Sequence, residues 1–324
     1  MPITGYIKEK GERWAMNNGK LKAMVMASFL GDSLALPVHW IYDTSEIDQR
    51  FGRVEQLLEP PSSSYHQGKR SGEFTHYGDQ AMLLLESIAA NSGYDLDSFA
   101  QGWRKFFEDY KGYFDHATKA TLQNFAKGKL PVESGSSSTD LAGASRIAPL
   151  VYLYADEPAE LIASSRSQTA MTHNNSAVID SAEFFSRVML KILSGAAPLD
   201  AFKELTEAPP GNHDPFRRWL DEALASLDKE TRDAISRFGK SCATEGAFRS
   251  VVYLAAKYQS NVQEGLIENV MAGGDSAARG LLLGMILGAH NGIAAMPEHW
   301  MAGMKSTKHI SQLLDKIDSA KMRA

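Results

Sequence analysis

Cysteine is nearly absent from this chain: Cys242 is the single one among 324 residues. No internal disulfide can form, which fits a reducing compartment such as the cytoplasm. Long apolar runs are missing as well. The most apolar stretch, residues 280–289, is about half the length that a bilayer crossing needs. The opening residues, MPITGYIKEKGERW, hold no apolar core of signal-peptide length. Nor is there a surplus of basic charge. The formal net charge is −5, and no Lys/Arg stripe is available to replace phosphate counterions, so nucleic acid is not expected as a partner. The cluster from Lys119 to Lys129 reads as a solvated helix face. A G-x-S-x-G elbow, a P-loop, a zinc-spaced Cys/His set and a GxGxxG after a strand are all lacking. These absences lead to the expectation of a soluble cytoplasmic protein without a membrane partner. The oligomeric state and the role of Cys242 stay open.

What the chain does have is helical periodicity. Leu21, Met24, Val25 and Phe29 fall on one face at three- and four-residue spacing. Met82, Leu85, Ile88 and Ala89 repeat the pattern, as do Phe99, Trp103, Phe106 and Tyr110. It returns at Val178, Ala182, Phe185, Met189 and Ile192, at Ala247, Val251, Leu254 and Tyr258, and at Leu282, Met285, Ile286 and Ala289. Ile310, Leu313, Leu314 and Ile317 mark a last short helix. Sustained period-two runs bounded by hairpin turns do not occur. The expectation is an all-α protein in one domain over residues 1–324, with its core over about 18–302. The loop from Ala208 to Pro215 is the only plausible boundary within it.

Five segments could carry chemistry, and each has a plainer reading. Gly31-Asp32-Ser33 with Pro37-Val38-His39-Trp40 places an acid and an imidazole near the end of the first helix; taken alone, a turn plus a packed His–Trp contact explains it better. In Thr75-His76-Tyr77-Gly78-Asp79-Gln80, Asp79 stands at an N-cap position, where it either caps or holds a metal or water. The loop Ser134-Gly135-Ser136-Ser137-Ser138-Thr139-Asp140 offers hydroxyls and close backbone approach to a sugar or phosphate, or is a flexible surface loop. In Met171-Thr172-His173-Asn174-Asn175-Ser176, Ser176 or Asn175 can cap the next helix, which leaves His173 as a ligand contact or a surface histidine. Gly273-Gly274-Asp275-Ser276-Ala277-Ala278-Arg279 is the most specific. An Asp275–Arg279 helical ion pair does not account for its two glycines, although Gly280, Gly284 and Gly288 read simply as a smooth packing face.

Taken in order, these segments resemble the ADP-ribosylglycohydrolase family, which includes the dinitrogenase reductase-activating glycohydrolases and the J1 crystallins of jellyfish. The resemblance runs through Gly31-Asp32, Pro37-Val38-His39, Tyr77-Gly78-Asp79-Gln80, Arg146-Ile147-Ala148-Pro149-Leu150, Thr172-His173, Gly273-Gly274-Asp275-Ser276 and Met296-Pro297-Glu298-His299-Trp300. It implies a compact orthogonal helical bundle. It also implies a pair of Mg²⁺ held by two acids in the first motif and two in the last. Only Asp79 and Asp275 remain of these four here, with Gly78 and Ala277 in the other places. Two acids are enough for at most one weakly held Mg²⁺.

The resulting expectation is a hydrolase of an N- or O-glycosidic bond in an ADP-ribosyl or related nucleotide-like substrate, small or carried on a modified target. Asp79 and Asp275 would hold the attacking water, with His76 and His173 as proton carriers or substrate contacts. Asp32, His39, Ser137, Ser138, Asp140, Gly274, Ser276 and Arg279 would line or support the substrate site. Arg279 is expected to stand in for part of the lost metal charge. The alternatives are a catalytically silent binding or structural protein resembling the J1 crystallins, or a metal-independent N-glycosidase on the same fold.

Overall fold

The computed structural model describes residues 3–207 and 215–323. The proposed boundary loop from Ala208 onward lies outside them, up to Asp214. The chain is all-α. Among the described residues no strand forms, and the only β-type pairings are isolated bridges, Ser136 with His173 and Asp140 with Ala243.

The helices follow in this order: α1 (Ile3–Ala35), α2 (Thr44–Phe51), α3 (His76–Asn91), α4 (Leu96–Asp109), α5 (His116–Ala126) and α6 (Ala142–Ser145). Next come α7 (Ala148–Tyr154), α8 (Pro158–Thr172), α9 (Ser176–Leu193), α10 (Pro198–Glu207), α11 (Pro215–Leu224) and α12 (Thr231–Phe238). The last are α13 (Thr244–Lys257), α14 (Val262–Met271), α15 (Ser276–Asn291), α16 (Glu298–Gly303) and α17 (Thr307–Lys321). Short polar side chains start many of them by accepting a free amide: Asp95 in α4, Asp115 in α5, Asn175 in α9 and Asn261 in α14. Asn175, rather than Ser176, is thus the cap of α9, and His173 is the residue that ends α8. Gly52, Gly239 and Gly292 end α2, α12 and α15 at positive φ, where a side chain would be strained.

One helix organises the rest. Every residue of α15 from Ser276 to Ala289 is buried, so it is enclosed on all sides rather than along a stripe. Helix α1 lies directly against it. A Cβ at Gly31 would sit 2.1 Å from the carbonyl oxygen of Gly280, and one at Gly284 would sit 2.0 Å from that of Ala27. The two backbones are in contact because the glycines remove the side chains that would hold them apart.

Two boundaries differ from the sequence reading. Helix α1 continues to Ala35, so Asp32 is a helical residue, not one beyond the helix end. Helix α3 begins at His76 with Thr75 as its cap, which puts Asp79 one full turn inside. No helix of the described residues is long and apolar enough to cross a membrane.

Candidate functional site

Three loops meet where α13 and α15 begin. The 139–141 segment is tied to the 242–244 segment by Leu141 N–H to Cys242 O (3.0 Å) and Thr244 N–H to Thr139 O (2.8 Å). The Gly-Gly turn is tied to both neighbours, through Asp275 N–H to Lys240 O (2.9 Å) and Gly274 N–H to Ile41 O (2.7 Å). Gly273 and Gly274 both have φ of 71°, and a Cβ on Gly274 would lie 2.1 Å from Lys240 O. Only glycine meets both demands. Trp40, at φ 68° without being glycine, is held in that unfavourable conformation by its N–H bond to Gly274 O (2.9 Å).

This stitching gathers Asp140, Cys242 and Asp275, whose potential ligand atoms lie within 4.8 Å of one another. Asp140 is buried; its Oδ1 accepts from Ala142 N–H (2.9 Å) and its Oδ2 from the Tyr77 hydroxyl (3.0 Å). Asp275 is fully buried, and its Oδ1 accepts only a long bond from Ala278 N–H (3.3 Å), while Oδ2 has no partner. Burial raises the Asp275 carboxyl to about 6, against the pull of Arg279, the Ala278 amide and His76. Burial, then the nearby Asp275 and Asp115 carboxylates, raises Asp140 well above the usual range. Half-buried Cys242 is pushed up by burial and by Asp140 and Asp275.

Imidazoles surround this trio. His39 Nδ1 lies 3.7 Å from Asp275 Oδ1 and accepts from Ala277 N–H (3.4 Å). Its ring stacks on His66 at 5.4 Å, and His66 lies 5.4 Å from His76. Burial, then neighbouring positive groups (His66, His76 and Arg279 for His39; His76 and Lys69 for His66), lower both well below the usual imidazole range, so both are neutral at pH 7. His76 Nε2 pairs with Asp115 Oδ2 at 3.2 Å. Burial would raise Asp115, but His76, then His173 and the Thr118 side chain, overcome it and hold the carboxyl well below its usual range. His173 bonds Thr172 Oγ1 through Nδ1 (2.9 Å) and is lowered to about 3, first by burial and then by Arg146. Four ring nitrogens are buried without a partner: Nε2 of His39, His66 and His173, and Nδ1 of His76. A cavity of about 250 Å³ opens beside His39 and Trp40, with Tyr42, Tyr65 and Arg50 on its walls.

The residues singled out from the sequence therefore separate into two groups. Asp275, Asp140, His39, His76 and Gly274 come together. Ser276 is buried beside Asp275, with an unpartnered Oγ. Asp79 has a different setting: its Oδ2 receives Lys69 Nζ at 2.6 Å and the Tyr110 hydroxyl at 2.8 Å. Asp32 closes the start of α3 internally, accepting from Thr75 N–H (2.8 Å), Thr75 Oγ1 (2.6 Å) and Gly78 N–H (3.2 Å). Arg279 does not pair directly with Asp275; it donates to Asn269 Oδ1 (3.0 Å) and to Gly273 O (2.6 Å), bracing the Gly-Gly turn. Ser138 Oγ accepts from Asp140 N–H (3.2 Å) and so shapes the loop, while Ser137 is exposed.

Sequence reasoning missed Lys69, His66, Asp115 and the participation of Cys242. None lies in a periodic segment beside a motif, and their partners are set by loop geometry. Asp115 caps α5 in the structure, a role that its place before His116 could have suggested.

The Asp32 arrangement gives a direct prediction. A Cβ at Gly78 would lie 2.4 Å from Asp32 Oδ2 and 2.7 Å from Phe74 Cβ. Gly78→Ala should therefore lower stability by about 1–3 kcal/mol in urea titration, despite alanine's better helix propensity. An unchanged midpoint would mean that Asp32 does not occupy that space.

Residues 16–323 match the family model described as ADP-ribosylglycohydrolase. Crystallin J1A of Tripedalia cystophora is 23% identical over 313 residues, covering 92% of this chain and 96% of its own length. An uncharacterised protein of Archaeoglobus fulgidus is 26% identical over 316 residues, covering 94% and 97%. A solved structure titled "ADP-ribosylglycohydrolase-related protein complex" shares the fold, with a TM-score of 0.75 at 19% identity over 94% of this chain and 98% of that one.

Proposed function

We propose, from the premise that this chain belongs to the ADP-ribosylglycohydrolase family, that it hydrolyses a glycosidic bond of an ADP-ribosyl or related ribosyl substrate at the Asp275–Asp140 site. The observation that carries this reading is the set of unmet polar groups. A site retired from chemistry is expected to pair its remaining polar atoms with one another. Here Asp275 Oδ2 and four buried imidazole nitrogens have no partner, and such groups are costly to keep unless something else binds them.

Glycosidic cleavage passes through an oxocarbenium-like transition state and needs a water aligned and deprotonated on one side. Asp275, with one oxygen free, is the group assigned to that water. His76 is held at Nε2 by Asp115 and keeps Nδ1 for proton transfer at the leaving group. Asp140 and the Ser136–Ser138 turn would contact the sugar, with His173 beside them through the Ser136 bridge.

The donor set argues against a pair of Mg²⁺. Lys69 places an ammonium on Asp79, and Asp32 fills the space that a side chain at position 78 would use. We therefore assign no step to such a pair. The Lys69–Asp79 contact is also the observation favouring the alternative, a silent protein like the crystallin relatives.

Chromatographic detection of released ADP-ribose from a panel of N- and O-linked ADP-ribosyl compounds separates the two. Turnover of at least one compound, inhibited by free ADP-ribose, is the expected result. No turnover combined with no calorimetric binding of ADP-ribose would leave the silent reading.

A further inference from the structure

We propose that Asp140, Cys242 and Asp275 form a binding site for one Zn²⁺ ion, with a fourth position open to water or substrate. Several independent features of the structure converge on this assignment. The three potential ligand atoms lie within 4.8 Å of one another, and this is the only such His/Cys/Asp/Glu group among the described residues. Asp275 is fully buried, yet its Oδ2 has no hydrogen-bond partner. A buried carboxylate oxygen without a partner, on a residue grouped with a second carboxylate and a thiol, is stabilised by a positive charge.

The site is also assembled before any ion arrives. Each ligand sits on a different loop, and the loops are joined by backbone bonds from Leu141 to Cys242, from Thr244 to Thr139 and from Asp275 to Lys240. The glycine turn before Asp275 cannot relax, because Gly274 is pressed against Lys240 O. Rigid placement of ligands on separate segments is what a metal site requires, since little entropy is lost on binding.

The donor types select the ion. A thiolate among the ligands disfavours Mg²⁺ and Ca²⁺, which take oxygen ligands. One sulfur and two carboxylate oxygens suit borderline Zn²⁺, which accepts three protein ligands and keeps a fourth position for water or substrate. Cys242 is half-buried, whereas both carboxylates are buried. Binding would release the Cys242 thiol proton, and any proton still on the two carboxyls, to solvent, leaving thiolate and carboxylates on the ion. Asp79 takes no part, because Lys69 already supplies its positive charge.

This site does not depend on glycosidic cleavage: the ion could bind in a protein that hydrolyses nothing. The test therefore reads binding alone. Chelator-stripped full-length protein is titrated with Co²⁺, a spectroscopic stand-in for Zn²⁺, and the near-ultraviolet thiolate-to-cobalt absorption is followed. The expected result is a band saturating at one equivalent, bleached by Zn²⁺ and insensitive to excess Mg²⁺. Cys242→Ser should abolish the band and weaken Zn²⁺ binding at least tenfold, and Asp275→Asn should weaken it similarly, each with an unchanged helical circular dichroism spectrum. Cobalt binding without the band, or a Cys242→Ser variant that binds Zn²⁺ like the parent, would overturn the assignment. If Cys242→Ser fails to fold, the decision rests on the parent's band and on Asp140→Asn, which should also lose at least tenfold.

Discussion

Asp275→Asn should reduce glycosidic hydrolysis by at least about a hundredfold, the lower end of what a positioned general base contributes. The substitution is nearly isosteric, and the side-chain amide it introduces can still accept from the Ala278 N–H that Asp275 now caps. Stability should therefore be retained. In metal-free protein it should even rise, since the change removes a fully buried carboxylate whose Oδ2 has no partner. The expected signature is a fall in kcat at an unchanged or higher melting temperature. A fall in both would assign Asp275 a structural role, and activity within twofold of the parent would remove it from the chemistry. The same change at Asp79 should behave differently. Asp79→Asn would leave the Lys69 ammonium and the Tyr110 hydroxyl without their carboxylate, so the loss should appear first in stability.

Gly284→Ala should cost on the order of 3 kcal/mol or more, against the usual helical preference for alanine. The added Cβ would stand 2.0 Å from Ala27 O and 2.5 Å from Ala27 C, both backbone atoms of α1. No rotamer change relieves a clash with a main chain, so α1 and α15 would have to separate along their whole contact. Gly288 and Gly280 sit in the same row, 2.6 Å from Ala23 O and 2.5 Å from Gly31 O by the same measure, and would lose their fit together. Gly19 supplies the control. It is exposed on α1 with nothing within 4 Å, so Gly19→Ala should be neutral or stabilising by about 1 kcal/mol. Denaturant midpoints of the two variants test the crossing directly, and equal midpoints would mean the helices do not approach this closely.

The local rules were legible because they are local. Spacings of three and four residues at Val178–Ile192 or Leu282–Ala289 mark helices whatever surrounds them, and those positions are buried in the core. The Gly-Gly-Asp segment announced a tight turn before a helix, and both glycines have positive φ with Asp275 as the cap. The glycine row in α15 likewise named its own use, since a face without side chains has value only against another backbone. The order of motifs along the chain was sufficient for the family, to which the matched residues 16–323 belong.

The site's partnerships followed from no such rule. Asp79 looked like the natural companion of Asp275, yet a loop lysine ten residues upstream pairs with it. Asp115 and His76 are 39 positions apart, and Cys242 reaches Asp140 across about a hundred residues of intervening helices. Periodicity carries no information about which loops meet, because loop ends are placed by the packing of the helices they join. The sequence by itself determined the helices, the glycine packing face and the family. Only the tertiary structure decided which charges neutralise each other and which are left unpaired, because that depends on distance in space and on burial, and neither is a property of neighbours along the chain.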